Sequence, residues 1–311
     1  MTVRGYEVSE VPATPLQMHV DRLANSSGGG LIVFGSLTNP SSHNVSVEGL
    51  VIFSEASDKS PFLVSGDWTT LPDLEPGQSA PFRAALAGDS PPSLDSLKTG
   101  AVGLTLPTTP DGSVQMTSEP RLVHDSQGNP ILLASIRNAG TRPAAARVLL
   151  SLVQGDSVYA VQLYQSPIPL GAGEVRLIGV VDFPGLIPAL AHGDVALSDL
   201  TPRAEVDNAF SSSPARNVAP LELRVLSYQQ ISSALYIRAQ VTNAGKSPVL
   251  SPTLLGGLRA TSGLIWSAGE IGVADRLEPG QSAEGLLILP LPAGIDPAAG
   301  EFDLRGAGLE P

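Results

Sequence analysis

Few side chains in this sequence of 311 residues are suited to catalysis. The four histidines, His19, His43, His124 and His192, are widely spaced, and none forms an HxH or HExxH pair. Cysteine is absent, which rules out disulfides and thiolate metal sites. Gly77-Gln78-Ser79-Ala80-Pro81 lacks the final glycine of a GxSxG nucleophile elbow, and no SxxK set accompanies a KTG. A nucleophile–base pair therefore has little to draw on. Calcium takes oxygen ligands, and two acidic groups offer them: Asp125 with Asn129, and Glu205 with Asp207 and Asn208. Neither group matches an EF-hand loop, and the competing reading of each is a solvated or turn-capping role. Asn25 to Gly30 resembles a phosphate-cradling loop but lacks the following Lys-Ser/Thr and a helix, so a hairpin turn is expected there. The sequons at Asn25 and Asn44 carry little weight alone. Trp68 and Trp266 would be stacking platforms for a sugar or protein if exposed and core if buried; sandwich domains favour core. The expectation is a chain with no catalytic or cofactor-binding residues, with calcium at Glu205, Asp207 and Asn208 as a weak alternative.

Whatever these residues do, the elements that position them are β-strands. Hydrophobic residues make up 42% and charged residues 15%, with 32 Gly and 28 Pro. That is too apolar for disorder and too rich in turn formers for long helices. The net charge of −12, with no basic stripe, disfavours nucleic acid and anionic lipid surfaces. No apolar run reaches the roughly 18 residues that span a bilayer, and the N-terminal stretch lacks the apolar segment of a signal peptide.

The string LEPGQSA occurs at Leu74–Ala80 and again at Leu277–Ala283. Each copy follows an apolar stretch that ends in Asn39 or Asn243, and a third such stretch ends in Asn138. The asparagines lie 99 and 105 residues apart. Gly77, Gly173 and Gly280 follow them by 38, 35 and 37 residues. Gly100, Gly193 and Gly300 come next, each expected to open a strand. LQMHV, VQMT and LELRV begin the three units. Four anchors in one order, three times, indicate three homologous modules.

Before Asn243, Leu235, Ile237, Ala239 and Val241 alternate with polar residues, the period of a strand with one buried face. The same column reads Leu31, Val33, Gly35, Leu37 and Pro130, Leu132, Ala134, Ile136. Its third position is small each time, which predicts a bulky neighbour from the facing sheet. Further strands are expected at 45–53, 81–86, 101–106, 146–153, 159–163, 175–181, 194–197, 264–267, 285–289 and 301–304. In Glu-Pro-Gly-Gln, Pro76 and Pro279 preset φ while Gly77 and Gly280 supply positive φ, giving a type II turn; Gly173 bends the middle copy without proline. The fold class is all-β: three tandem immunoglobulin-like Greek-key β-sandwich domains. Their spans are 12–110, 111–215 and 216–311, after an N-terminal arm at 1–11, joined by short proline-containing linkers.

Strand, asparagine, variable strands, then L-x-P-G-[QE]-[ST] resembles the FxLYD and CARDB-type immunoglobulin-like modules of bacterial surface proteins. The second module is most similar to CARDB, through IRNAGTRPAAARVLLSL and the tail ALSDLTPRAEVDNAF. Glu205, Asp207 and Asn208 match the acidic ending of that family, while Ala209 and Phe210 depart from its asparagine pair. The first and third modules look more like FxLYD. The resemblance implies a secreted or cell-surface protein acting as spacer, adhesion unit or partner-binding domain, and brings no catalytic residue with it.

The function expected is that of a non-enzymatic extracellular or cell-surface protein, a structural spacer or interaction subunit of a surface assembly. Its partner would be a protein or a surface polymer, without nucleic acid and without direct membrane insertion of this segment. A leader or anchor would lie outside the sequence, and the cytoplasm stays open as a compartment. The alternatives are a carbohydrate-binding array using Trp68 and Trp266, and an accessory subunit of a membrane-anchored complex.

Overall fold

The architecture is that of a computed structural model, which describes residues 13–25, 30–54, 64–86, 93–106, 112–208, 210 and 215–311. The N-terminal arm, the glycine-rich stretch 26–29 and parts of both expected linkers (107–111, 211–214) lie outside the described residues. The described chain is all-β, built of antiparallel sandwich sheets with a single short helix.

Among the described residues each repeat has seven strands, although the second reaches that number with its opening strand in two pieces and without the short fifth strand of the other two. The first has β1 (Ala13–Asn25), β2 (Leu31–Thr38), β3 (Val45–Ser54), β4 (Val64–Thr69), β5 (Asp73–Leu74), β6 (Ser79–Leu86) and β7 (Leu97–Thr105). The second has β8 (Val114–Met116), β9 (Arg121–His124), β10 (Pro130–Asn138), β11 (Arg147–Gln154), β12 (Ser157–Gln165), β13 (Val175–Val180), helix α1 (Leu186–His192) and β14 (Thr201–Val206). The third has β15 (Val218–Ile231), β16 (Ala234–Thr242), β17 (Val249–Arg259), β18 (Ile265–Gly272), β19 (Arg276–Leu277), β20 (Ser282–Pro290) and β21 (Glu301–Leu309).

The long opening strand serves two sheets. In β1, residues 13–16 pair with β7 and residues 17–25 with β2. In β15, residues 218–221 pair with β21 and residues 222–231 with β16. A bulge follows the switch in both, between Val20 and Arg22 and between Val225 and Ser227. A bulge adds twist, which lets one strand pass from one layer to the other. In the second repeat the strand is broken outright into β8 and β9, with Pro120 in the gap. Proline has no N–H to donate to a ladder, so a break is favoured there.

The alternating column of the sequence is the core face. Leu235, Ile237 and Ala239 cluster with Leu254 and Leu258 of β17 and with Leu287 and Leu289 of β20. Ala239 is thus packed against the facing sheet, as the small column predicts. Gly35 is small for another reason: a Cβ there would lie 2.0 Å from the His19 carbonyl oxygen and 2.8 Å from the Phe82 ring, both on adjacent strands of the same sheet.

One expected strand is corrected. Residues 194–197 are not a strand, and Gly193 does not open one. Gly193 caps α1 with φ +75°, and the strand begins only at Thr201. Leu186 and Ala189, three residues apart, are the buried side chains of α1. This helical spacing is too short a signal to stand out from the surrounding apolar residues.

By its contacts the chain divides into two compact units. One comprises Met1–Thr109 with Asp156–Val161, the other Pro110–Gly155 with Gln162–Pro311. The second and third repeats thus belong to the same unit apart from the Asp156–Val161 segment.

Candidate functional site

The repeated asparagine and the repeated turn are two halves of one device. Asn39, Asn138 and Asn243 are at most 1% exposed. Each main-chain N–H donates to the carbonyl after the turn glycine, on Gln78, Glu174 or Gln281. Each main-chain carbonyl accepts from the glycine itself, Gly77, Gly173 or Gly280. The side-chain amide reaches further. Asn138 Nδ2 donates to the carbonyls of Arg142 (2.7 Å), Leu170 (3.0 Å) and Gly171 (3.1 Å), while its Oδ1 accepts from Gly140 N. Asn39 makes the same set to His43, Leu74 and Glu75, with Ser41 N donating to its Oδ1. Asn243 donates to Ser247 and Leu277 and accepts from Gly245 N. A buried amide with both ends satisfied replaces several lost water hydrogen bonds, which explains why no apolar residue can stand here.

The turns themselves close as expected. Gln78 N donates to Glu75 O and Gln281 N to Glu278 O, with φ +73° at Gly77 and +77° at Gly280. Gly173 takes φ +72° without a preceding proline. Gln78 Oε1 accepts from Glu75 N (2.8 Å) and Gln281 Oε1 from Glu278 N (2.9 Å), so the glutamine caps its own turn. The leucines that open the phrase, Leu74, Leu170 and Leu277, are buried at 0%, 0% and 3% exposure.

In the second repeat Glu174 replaces the glutamine. Its Oε2 still caps the turn, accepting from Gly171 N at 2.7 Å. Its Oε1 accepts from Arg176 (2.6 Å) and lies 3.1 Å from Arg305 of the third repeat. Arg176 is 2% exposed and also donates to Ser166 Oγ and to the carbonyls of Ile168 and Pro169. Ser166 Oγ (3.0 Å) and Tyr164 OH (3.1 Å) hydrogen-bond Glu270 Oε2 on β18. Burial holds the Glu270 carboxyl above its ordinary range, outweighing Ser166, Arg176 and Tyr164. Burial and the Glu270 charge push the Tyr164 phenol well above its usual range. Around this polar group the seam is apolar: Ile131, Leu133 and Leu177 pack on Ile265 and Ala268. A Cβ on Gly179 would lie 2.3 Å from the Ala268 carbonyl oxygen, so the two backbones touch. The sequence gives no hint of this seam, because its residues meet only through tertiary packing.

Asp207 is 3% exposed; its Oδ2 accepts from Arg147 Nη1 (3.1 Å) and its Oδ1 from Phe210 N (2.9 Å). The Arg147 guanidinium sits 3.9 Å over the Phe210 ring. Glu205 lies half-buried on β14, and Asn208 is exposed just beyond its end. Asp125 closes a tight turn, accepting from Gln127 N, Asn129 N and Asn129 Nδ2. Burial alone would raise its pKa, but the hydrogen bonds from Asn129, Gln127 and Ser233 lower it below the ordinary value. Among the described residues no three His, Asp or Glu side chains are grouped to hold a metal ion.

Trp266 packs against the core cluster of the third repeat, and Trp68 is half-buried on β4, opposite Ala84. His19 Nε2 lies 3.3 Å from Asp21 Oδ1, and His124 meets the Asp125 carbonyl. Clefts open among the described residues include two with room for a small ligand. One of about 690 Å³ lies at the end of the third repeat beside Leu221, Asn243 and Lys246. One of about 230 Å³ lies on the seam beside Thr117, Ser118, Ser135, Arg121 and Arg259. No histidine lines either; the first holds Glu222, Lys246 and Glu310, the second Glu119 beside the Thr117, Ser118 and Ser135 hydroxyls.

No family model matches this chain, and no curated protein does. Among solved structures, the crystal structure of red sea bream transglutaminase is similar over 62% of this chain and 29% of that one, at 14% identity and a TM-score of 0.22. A likeness of that size carries no argument about this protein.

Proposed function

We propose that this protein is a non-enzymatic scaffold of tandem β-sandwich modules at the cell surface or outside the cell, which spaces or joins other components by binding a protein or surface polymer. The observation that carries this reading is where the ionisable and amide side chains are used. Asn39, Asn138, Asn243, Glu174, Arg176 and Asp207 are buried or nearly so, and each serves a turn, a seam or a strand end. The resemblance to FxLYD and CARDB modules agrees with it. Packing of Trp266 against the core speaks against a sugar-stacking array. The test is cross-linking and affinity isolation of the folded chain from its native source. Specific capture of one protein or polymer is the expected result. Turnover of a substrate, abolished by a point substitution in a cleft without loss of fold, would overturn it.

A further inference from the structure

The break in the opening strand of the second repeat makes a cleft. In the first and third repeats the opening strand runs on past a bulge. In the second, residues 117–120 leave the ladder between β8 and β9, and Thr117, Ser118 and Glu119 are exposed there. The β17–β18 hairpin, turned by Gly263 at φ +84°, reaches the same place and supplies the other wall of the cleft of about 230 Å³. Both sides belong to the second compact unit.

The lining is divided by chemistry. Leu133, Val175, Leu264 and Ile265 form an apolar wall. Ser135, 6% exposed, interrupts the aliphatic run of Ile131 and Leu133 along one face of β10. Its Oγ hydrogen-bonds Thr117 Oγ1 and lies 3.0 Å from Ser118 Oγ. Three hydroxyls carry three O–H donors; their two mutual bonds use two, which leaves one donor without an acceptor among the described residues. Arg121 makes one hydrogen bond, to the Ile265 carbonyl (3.2 Å), and no ion pair among the described residues. Arg259 has the Asp303 carboxylate at 3.8 Å, longer than a hydrogen bond. Glu119 has neither a hydrogen bond nor an ion pair among the described residues. Two cations and one carboxylate thus line one small cleft without neutralising each other, which favours an occupant that carries both signs.

We propose that this cleft binds a free α-amino acid with an aliphatic side chain. The carboxylate of the ligand accepts from Arg121, Arg259 and the spare hydroxyl in charge-assisted bonds. Its ammonium meets Glu119, and its side chain lies on Leu133, Val175 and Ile265. A simple anion is disfavoured by the Glu119 charge, and a sugar by the lack of any aromatic ring to stack on. The cleft is smaller than those that take drug-sized ligands, which suits a molecule of this size. The site is independent of the function proposed above. Both repeats supply it, so an occupant also ties their seam.

Ligand-observed NMR titration of the folded chain with L-leucine tests this, beside isocaproate, which lacks the ammonium, and isopentylamine, which lacks the carboxylate. Leucine should bind with a Kd of about 1 mM or tighter. Each analogue should bind at least about tenfold more weakly, as for a lost hydrogen bond to a charged group. Glu119→Gln, at an exposed position, should weaken leucine at least about tenfold and leave isocaproate unchanged or tighter. Arg259→Gln should weaken leucine by a similar factor, and both variants should keep the circular dichroism spectrum of the parent. No leucine binding up to roughly 10 mM, an analogue that binds as tightly as leucine, or a leucine affinity indifferent to either substitution would each overturn the proposal.

Discussion

A buried asparagine that donates to three carbonyls cannot be shortened without losing all three bonds, although two of the acceptors of Asn138, Leu170 O and Gly171 O, also accept from Ala144 N and Glu174 N. Asn138→Ala removes bonds to Arg142, Leu170, Gly171 and Gly140 at once. Unsatisfied buried groups cost about 1–3 kcal/mol each, less what water and relaxation recover, so a loss of about 2–4 kcal/mol is expected in chemical denaturation. Asn138→Asp should not rescue it, since the donor is lost while Oδ1 is kept. At the turns, Gly77→Val and Gly280→Val place a β-branched residue at φ +73° and +77°. Open space surrounds both glycines, so the penalty is purely conformational, about 1–3 kcal/mol, and falls on the residue's own repeat. An unchanged melt for either valine variant would mean the turn flips to a conformation without positive φ. The residue types and their spacing were visible in the sequence; their mutual hydrogen bonding was not, because asparagine and glycine are 35 to 38 residues apart and sequence spacing says nothing about distance in space.

At the level of strands and layers, the alternating columns fix which side of β2, β10 and β16 is core. Ala239→Leu forces extra volume between β16 and β17 and should cost about 1–3 kcal/mol by overpacking. The other side of the same strands is where single-strand reasoning stops. Ile131 and Leu133 read as solvent-facing by period two, yet both are buried by β18. Gly179 is the point of closest approach, and Gly179→Val would drive a side chain into the Ala268 backbone. The expected result is loss of the seam with both sandwiches intact: one calorimetric transition of the second unit splits into two. A strand was expected at 194–197 where α1 and its glycine cap stand, because a two-turn helix offers too few periods to be separated from an apolar run.

At the scale of the whole molecule, the seam makes stability depend on pH through Glu270. Its folded-state pKa lies above the ordinary 4.5, so the folded protein binds the proton more tightly than the unfolded chain. Stability from this group therefore grows as pH falls through the window between the folded value and 4.5, and levels off below it. Measured against Glu270→Gln, the wild-type melting temperature should gain as pH drops from 7 toward 4.5; a difference that stays flat or moves the other way would contradict a buried, charge-averse carboxyl. Asp125 runs in the opposite sense: its lowered pKa stabilises above 3.8, and that contribution is lost as pH falls through the still lower folded value. Composition, the missing cysteines, the strand period and the thrice-repeated anchors determined an all-β tandem sandwich and the turns that punctuate it, because those follow from local propensity and from side chains alternating along one strand. The tertiary structure alone decided that the asparagines clasp the turns, that Asp207 is held by Arg147, that Glu270 and Arg176 share a buried seam, and that β18 covers the sheet face carrying Ile131 and Leu133. Those outcomes depend on which surfaces meet, and a linear chain does not record the meeting of surfaces a hundred residues apart.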